Sequence, residues 1–456
     1  MQGETCWSVP PFSGMPFSSL VRALAASLIA GEPTPEQIIA RLSLTLGRPW
    51  RWLRPLAQRY VKAVSGKTRP RHREVVQFLR RDSSFRRAWR KYAHEISIEH
   101  WLTGSGQMQP VRVAEGWDLP AIEPTEELAA WLGLTLSELL WFADLKGLGH
   151  RQSSTKLNHY RYRILPKPSG EIRLIEAPKS RLRELQRQVL SRILGRIPPH
   201  PAVHGFVRGR SVKTFVAPHV GQHVVLRMDL RHFFPSFRAA RVQTLFRTVG
   251  YPEPVADLLG GICTNCTPRE TWERYGSTGD YDCRFQARIL YCRPHLPQGA
   301  PTSPAIANLC AYRADCRLSG LARSAGARYT RYADDLAFSG DHSFERNVER
   351  FSTHVAAILL EEGFDVHHRK TRVMRQGARQ HLAGVVLNRR INIMRTDFDR
   401  LKATLTNCVR LGPVSQNRED HPTFRSHLEG RVAFVETINP AKGKRLRAIF
   451  DQIVWE

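Results

Sequence analysis

Three aspartates are the side chains of this chain with the clearest capacity for chemistry. Asp334 and Asp335 are adjacent in the run Tyr332-Ala-Asp-Asp335, which lies between two short apolar segments typical of β-strands. Adjacent carboxylates cost free energy unless water or metal ions neutralise them, so this run predicts a β-hairpin whose turn holds metal. Asp229 ends another strand-like run, Val224–Asp229. Three acids on two strands predict a platform for two Mg²⁺ ions, as nucleotidyl transfer requires.

The charge of the chain indicates a polyanionic partner. Its 456 residues carry 69 Lys and Arg against 41 Asp and Glu, a formal net charge of +28. The excess is concentrated in residues 48–91, where 15 side chains are basic and only Glu74 and Asp82 are acidic. A basic solvated surface would also give a positive charge, but this concentration favours binding of nucleic acid through phosphate contacts.

The length and the apolar pattern restrict the class of protein further. A chain of this length is too long for one core, which predicts two or three domains. No apolar run reaches the roughly 18 residues that span a bilayer, and residues 1–19 lack the features of a signal peptide. The sequence therefore predicts a soluble, cytoplasmic protein without a membrane partner.

Local periodicity predicts an α+β protein. Leu20, Leu24 and Leu28 recur at helical spacing in the N-terminal region, and the last 60 or so residues are also predicted to be mostly helical. Residues 160–175 alternate around Pro-Ser-Gly and predict a β-hairpin, and residues 381–393 predict another.

Four cysteines form the one candidate for a second metal. Cys263 and Cys266 are separated by two residues, and Cys283 and Cys292 follow. A zinc site is one interpretation, but the spacing of the second pair does not fit the second knuckle of a zinc ribbon. Reduced thiols are therefore the favoured interpretation.

Residues 158–456 resemble the reverse transcriptases of the bacterial retron type. Four segments carry the resemblance, namely Met228-Asp-Leu-Arg-His-Phe-Phe-Pro-Ser236, Leu296-Pro-Gln-Gly-Ala-Pro-Thr-Ser-Pro304, Tyr332-Ala-Asp-Asp335 and Lys370-Thr371. The resemblance implies a right-hand polymerase fold with fingers, a palm with an antiparallel sheet and a helical thumb. The N-terminal extension resembles those of the longer myxobacterial-type enzymes.

This resemblance also implies a division of the chain. Residues 1–103 would form a basic helical extension, 104–124 a linker, and 125–227 a helical lead-in and the fingers. The palm would span 228–393, with finger elements and a cysteine-containing insertion at 260–293, and the thumb would span 394–456.

By the same resemblance, the catalytic residues are the three aspartates and Lys370. Asp229 and Asp334 would ligate both Mg²⁺ ions, Asp335 would support them, and the carbonyl of Leu230 would complete one coordination sphere. Lys370 matches the lysine proposed to protonate the leaving pyrophosphate, a role that suits an amine near bound phosphates.

Five further residues match positions that bind the incoming nucleotide. Phe234 would exclude a 2′-hydroxyl sterically and so select deoxynucleotides, while either Phe234 or its neighbour Phe233 belongs to the core. Gln298 would bond to the template or nucleotide, next to a glycine that permits close approach of the backbone to the base. The remaining residues of this set are Gly299, Lys167 and Arg173, the last two gripping the triphosphate.

The predicted contacts to RNA lie in the retron-like block 202–211, at the histidine of a retron hallmark and in the thumb. They comprise Arg208, Arg210, His219, Lys442, Lys444 and Arg445. The chain departs from the retron pattern in reading Phe215-Val-Ala-Pro-His219 and Leu382-Ala-Gly384 where many members have Asn-Ala-x-x-His and Val-Thr-Gly.

The function implied is an RNA-directed DNA polymerase that copies a structured noncoding RNA into single-stranded DNA, the retron msDNA, from a 2′-hydroxyl of that RNA. Its implied partners are that RNA, the DNA product, deoxynucleotides, an effector protein of antiphage defence and a host RNase H. One alternative is a bacterial reverse transcriptase of another lineage, intron-encoded or standalone, primed from a 3′ end. Another is a structural RNA-binding protein with an inactive polymerase fold.

Overall fold

The structure is a computed structural model that describes residues 16–31, 33–64, 70–100, 108, 110–149, 158–166, 172–273 and 281–455. For residues 115, 273 and 281–284 it describes only the backbone. The chain divides into two units, one formed by residues 1–148 and 240–262 and the other by residues 149–239 and 263–456. Among the described residues, no helix combines the length and apolar character needed to cross a membrane.

The α-helices, in chain order, are α1 (Phe17–Ile29), α2 (Pro35–Thr45), α3 (Leu53–Val64), α4 (His72–Arg81), α5 (Ser83–Tyr92), α6 (Thr125–Leu132), α7 (Leu136–Ala143), α8 (Ser180–Arg192), α9 (Val212–Val216), α10 (Phe233–Ser236), α11 (Ala239–Val249), α12 (Glu253–Cys263), α13 (Arg269–Glu273), α14 (Tyr281–Tyr291), α15 (Ser303–Cys310), α16 (Tyr312–Ser324), α17 (His342–Glu361), α18 (Arg395–Leu411), α19 (Phe424–Ile438) and α20 (Pro440–Phe450). The strands are β1 (Tyr160–Pro166), β2 (Ile172–Pro178), β3 (Val224–Arg231), β4 (Arg328–Tyr332), β5 (Asp335–Gly340), β6 (Asp365–Val366), β7 (Arg372–Arg375), β8 (His381–Leu382), β9 (Val385–Val386) and β10 (Asn392–Ile393).

The N-terminal part of the first unit is a bundle of helices α1 to α5 around one apolar core. Leu20, Leu24 and Leu28 lie one turn apart on α1 and are buried, and Val75 and Leu79 of α4 belong to the same core. Burial of one apolar stripe per helix is what stabilises such short helices, since each alone would be marginal in water. The predicted helical N-terminal region is confirmed.

Three antiparallel sheets form the β structure of the second unit. Strands β1 and β2 pair over their whole length, from Tyr160 opposite Pro178 to Pro166 opposite Ile172. The main sheet has the order β4-β5-β3-β6, and β7 also pairs with β3. In the third sheet β9 pairs with both β8 and β10, so the region predicted as a hairpin contains three short strands.

The C-terminal helices α18, α19 and α20 pack around their own core. Its members include Leu401, Leu405, Leu428, Val432 and Leu446, all buried. Apolar spacing that includes Leu401, Leu405 and Leu446 predicted helices in this region, and the mixture of helices with antiparallel sheets confirms the α+β class. The division into five segments stays a prediction.

Candidate active site

The hairpin that carries the aspartate pair has a tighter turn than its sequence predicted. Tyr332 of β4 pairs directly with Asp335 of β5, so the two-residue turn consists of Ala333 and Asp334. Ala333 has a φ of 55°. In two-residue hairpin turns this left-handed conformation is usually adopted by glycine or asparagine. The expectation of an Asp-Asp turn is therefore wrong, because Asp335 is already the first residue of a strand.

Strand β3 brings the third aspartate to the same place. It runs two residues beyond the predicted end, and Asp229 lies opposite Asp335 in the antiparallel register. The backbone N–H of Leu230 donates a hydrogen bond of 3.0 Å to the carbonyl of Asp334. Because β5 is shared by the hairpin and by the pairing with β3, this register brings the three acids together.

Two cations and burial determine the electrostatics of these acids. Lys370 Nζ is 3.0 Å from Asp229 Oδ1, and Arg227 donates to Asp335 Oδ1 from Nε at 3.0 Å and from Nη2 at 2.8 Å. Burial, followed by the negative charge of Asp229, raises the pKa of Asp334 to about 6. Burial also raises the pKa of Asp335, against the opposing effect of Arg227. Additional positive charge would therefore stabilise the ionised form of Asp334.

Asp229 and Asp334 border an open cleft of about 530 Å³ in the second unit. Seven residues proposed from the sequence line it together, namely Arg173, Asp229, Leu230, Phe234, Gln298, Asp334 and Lys370. Residues far apart in the chain thus meet at one concave surface, which is where ligands bind in proteins.

The two adjacent phenylalanines of the cleft have different environments. Phe233 is only 4% exposed and packs against Phe237, with ring centroids 5.1 Å apart, and against Phe364. Phe234 is half-buried and lines the cleft. Phe233 is thus the core residue of the pair, and Phe234 is the one available to a ligand.

Arg173 lies on β2 with an exposed side chain that borders the cleft. Lys167, the other residue proposed to grip the triphosphate, lies outside the described residues.

Gly299 lies close to strand β2. Its φ is +130°, and a Cβ there would lie 2.9 Å from the carbonyl oxygen of Glu176 on β2. The N–H of Glu176 donates 2.8 Å to the carbonyl of Gln298. The packing of β2 is therefore a reason for glycine at this position that the sequence did not indicate, and the approach of this backbone to a base stays a prediction.

A buried carboxylate that sequence reasoning missed supports this junction. Glu176 is fully buried and accepts hydrogen bonds from Asn265 Nδ2 at 2.8 Å, Thr267 Oγ1 at 3.0 Å and His295 Nε2 at 2.8 Å. His295 Nδ1 faces the carbonyl of Arg293 at 2.8 Å. Both ring nitrogens therefore lie within hydrogen-bond distance of an oxygen, and the His295 ring links the junction to the buried carboxylate.

A second missed feature is a buried ion pair behind the hairpin. Arg331 Nε and Nη2 contact the two carboxylate oxygens of Asp315 at 2.8 Å and 2.7 Å. Arg331 Nη1 donates 3.0 Å to the carbonyl of Ala333 in the turn. The residues of β4 do not alternate between buried and exposed, so neither the burial of Arg331 nor its partner could be read from the sequence.

His219 is not placed to contact RNA. Its ring is fully buried, with Nδ1 2.6 Å from Ser339 Oγ and Nε2 2.7 Å from Thr330 Oγ1. Burial lowers its pKa to about 3. The prediction that His219 binds RNA directly is wrong, because the ring joins α9 and the residues after it to β4 and β5.

The other residues proposed to bind RNA lie at the surface. Arg208, Lys444 and Arg445 are exposed. Arg210 Nη1 donates hydrogen bonds to the carbonyl of Pro201 and, at 2.6 Å, to the carbonyl of Val203. These bonds connect the two ends of the loop that contains Arg210. Lys442 Nζ lies 4.9 Å above the ring of Phe398. Their contacts with RNA stay predictions.

The cysteines show no arrangement for metal among the described residues. The Cys263 thiol is fully buried, and burial raises its pKa to about 12. Cys266 Sγ donates 3.1 Å to the carbonyl of Cys292. The side chain of Cys283 lies outside the described residues.

Among the residues that the structure describes, no group of three or more His, Cys, Asp or Glu side chains is arranged to hold a metal ion. Two of the three aspartates, Asp229 and Asp335, instead contact Lys370 and Arg227. The donor set still fits Mg²⁺, because carboxylate oxygens are its preferred protein ligands and the half-buried Asp334 lacks a full counter-charge.

Comparison with known proteins agrees with this arrangement. The family of reverse transcriptases, RNA-dependent DNA polymerases, matches residues 165–427, which is more than half of the chain. The chain belongs to this family, and the catalytic class is that of an RNA-directed DNA polymerase with an α+β, right-hand fold.

The relatives refine this assignment. The retron Mx65 reverse transcriptase of Myxococcus xanthus is 41% identical over 334 residues, covering 72% of each chain. The retron Mx162 enzyme of the same organism is 35% identical over 400 residues, covering 80% of this chain and 78% of the relative. The retron Ec86 enzyme of Escherichia coli is 28% identical and covers 63% of this chain and 79% of the relative. The chain is thus of the retron type and resembles the myxobacterial members.

Proposed function

We propose that DNA synthesis takes place at the cleft bordered by Asp229 and Asp334, with Asp335 opposite Asp229 on the neighbouring strand. Asp229 and Asp334 would hold two Mg²⁺ ions, with Asp335 supporting them and the carbonyl of Leu230 completing one coordination sphere. The observation that carries this proposal is the register that sets Asp229 opposite Asp335 at the Ala333-Asp334 turn. Bound Mg²⁺ supplies activation of the attacking hydroxyl and neutralisation of the triphosphate.

The other cleft residues bind and orient the nucleotide. The ring of Phe234 excludes a 2′-hydroxyl, so deoxynucleotides are selected. Arg173, together with Lys167, binds the triphosphate through charge-assisted hydrogen bonds. Gln298 bonds to the template or nucleotide. Lys370 holds its proton next to Asp229 and can donate it to the leaving pyrophosphate.

The metal role is tested with Asp334→Asn, which keeps the side-chain shape but removes the charge. Primer extension on an RNA template is expected to fall by at least about 100-fold. The rise in melting temperature that Mg²⁺ gives the wild type should also disappear. The control is Asp399→Asn, the same change at an exposed position on α18. Undiminished extension by Asp334→Asn would exclude the metal role and would leave an RNA-binding protein with an inactive fold as the better interpretation.

We further propose that the template is a structured noncoding RNA and that synthesis starts from a 2′-hydroxyl within it, giving msDNA. Support comes from the retron enzymes to which the chain is similar. A host RNase H would trim the template, and the RNA-DNA product would act with an effector protein in antiphage defence.

The priming chemistry is tested on nucleic acid that co-purifies with the protein. A 2′,5′-branched junction should be found by sequencing and should be cleaved by a debranching enzyme. A product joined only through 3′,5′ linkages would instead favour a non-retron enzyme, intron-encoded or standalone, primed from a 3′ end. For the defence role, phage plaque counts should rise when the wild-type gene is replaced by Asp334→Asn.

A further inference from the structure

Phe206 combines two unfavourable features that the chemistry proposed above does not explain. Its φ is 60°, in the left-handed region that bulky side chains rarely adopt. Its large apolar side chain is also 54% exposed. Backbone strain of this kind persists only where neighbouring structure enforces it, and it is concentrated at functional sites.

The backbone around Phe206 is fixed to the catalytic turn. A Cβ at Gly205 would lie 2.6 Å from the N atom of Ala333, so only glycine permits this approach. The N–H of His204 donates 2.8 Å to the carbonyl of Arg331, and Asn308 Nδ2 donates 2.9 Å to the carbonyl of Gly205. The position of the Phe206 backbone is thus set relative to the turn that carries Asp334.

The ring of Phe206 is a neighbour of two aromatic residues of the site. Its centroid is 6.3 Å from that of Phe234 and 6.4 Å from that of Tyr332. Phe234 is the residue proposed to face the sugar of the incoming nucleotide, and Tyr332 immediately precedes the turn. Phe206 is therefore close both to the proposed nucleotide position and to the catalytic turn.

We propose that Phe206 is a positioning residue that packs its ring against the base pair at the primer terminus of the template–primer duplex. This inference rests on the proposed function, because the terminus must lie near Asp334 while the nucleotide lies over Phe234. Every base offers an apolar face to an aromatic ring, so such a contact tolerates any template sequence. The base pair would then cover the exposed ring of Phe206. The strained backbone would hold this ring in place before the duplex binds.

The test uses Phe206→Ala and a synthetic RNA template annealed to a DNA primer. The dissociation constant for this duplex, measured without Mg²⁺, is expected to rise by about tenfold or more. The rate of single-nucleotide incorporation at saturating duplex should fall much less. Phe206→Tyr should restore the affinity, since it keeps the ring.

Two further variants separate this role from a role in folding. Phe206→Gly removes the ring and the backbone strain, so its affinity should fall as in Phe206→Ala while its melting temperature is unchanged or higher. Phe285→Ala, at a side chain that is 53% exposed on α14, should leave the affinity unchanged. Wild-type affinity in Phe206→Ala and Phe206→Gly would overturn the proposal. A lower melting temperature in both, without rescue by Phe206→Tyr, would do so too.

Asp334→Asn distinguishes failure of this inference from failure of the proposed function. It should abolish incorporation yet bind the duplex with wild-type affinity. An inactive Asp334→Asn together with wild-type affinity in Phe206→Ala would contradict only the proposed role of Phe206. An active Asp334→Asn would contradict the proposed catalytic site itself.

Discussion

At the scale of single residues, the buried ion pair of Arg331 and Asp315 behind the hairpin is a contact whose loss should strongly destabilise the fold. Both side chains are 1% exposed, and Asp315 also accepts 2.8 Å from the hydroxyl of Tyr329. Removing one partner of such a pair leaves a buried charge without compensation, which costs about 3–5 kcal/mol. Asp315→Asn is therefore expected to lower the free energy of unfolding by this amount in urea denaturation.

A matched control for that prediction is Asp399→Asn, which changes an exposed pair with Arg395 on α18. Exposed pairs contribute little, so its unfolding should resemble that of the wild type. Equal stability of Asp315→Asn and the control would show that groups other than Asp315 compensate the charge of Arg331.

Also at the residue scale, His219 makes stability depend on pH. Burial lowers its folded-state pKa to about 3, whereas an unfolded histidine titrates at about 6.5. Between these values the unfolded chain binds a proton that the folded chain does not. Above about pH 6.5, His219 therefore does not lower the free energy of unfolding. Below pH 6.5, it lowers the free energy of unfolding by about 1.4 kcal/mol for each pH unit.

His219→Gln is therefore expected to lose less stability than the wild type between pH 6 and pH 5, as measured by urea unfolding at each pH. His354→Gln, at an exposed position on α17, should keep the wild-type dependence. The same slope in all three proteins would contradict the assignment of a neutral buried ring.

At the scale of elements, the junction of β2 with the Gln298-Gly299 segment positions one wall of the cleft. Gly299→Ala would place a methyl group 2.9 Å from the carbonyl of Glu176, at a φ that suits only glycine. We expect a loss of about 1–3 kcal/mol in stability and a higher KM for deoxynucleotides, because Gln298 must move. Gly377→Ala, where a Cβ meets nothing within 4 Å, is the control for steady-state kinetics. An unchanged KM in Gly299→Ala would show that Gln298 does not bind the nucleotide.

At the scale of the whole molecule, the net charge of +28 predicts RNA binding that weakens steeply with salt. Lys444 and Arg445 are exposed on α20 and are proposed to contact phosphates. Replacing both with glutamine should reduce the slope of log affinity against log salt by about 2. Arg395→Gln, at a side chain that is 94% exposed on α18, serves as the comparison. If the double variant keeps the wild-type slope, α20 lies outside the RNA interface.

The sequence by itself determined the elements and the residues with chemical capacity. Helical spacing predicted the cores of the N-terminal bundle and of α18 to α20, because an apolar stripe must be buried wherever it occurs. A strand-like run that ends in Asp229 and a hairpin turn at Asp334-Asp335 predicted that a lone acid would meet a doublet, although Asp335 proved to belong to a strand. In the structure these two residues are directly opposite each other.

Only the tertiary structure decided which partners the side chains have. His219 was predicted to bind RNA and is buried, Gly299 packs closely against Glu176, and Arg331 pairs with Asp315. Each of these outcomes depends on contacts between segments that local periodicity does not relate. The close approach of Gly205 to Ala333, next to the left-handed Phe206, likewise joins two different segments of the chain. A buried polar group takes whichever partner the packing brings to it, and packing is a property of the whole fold.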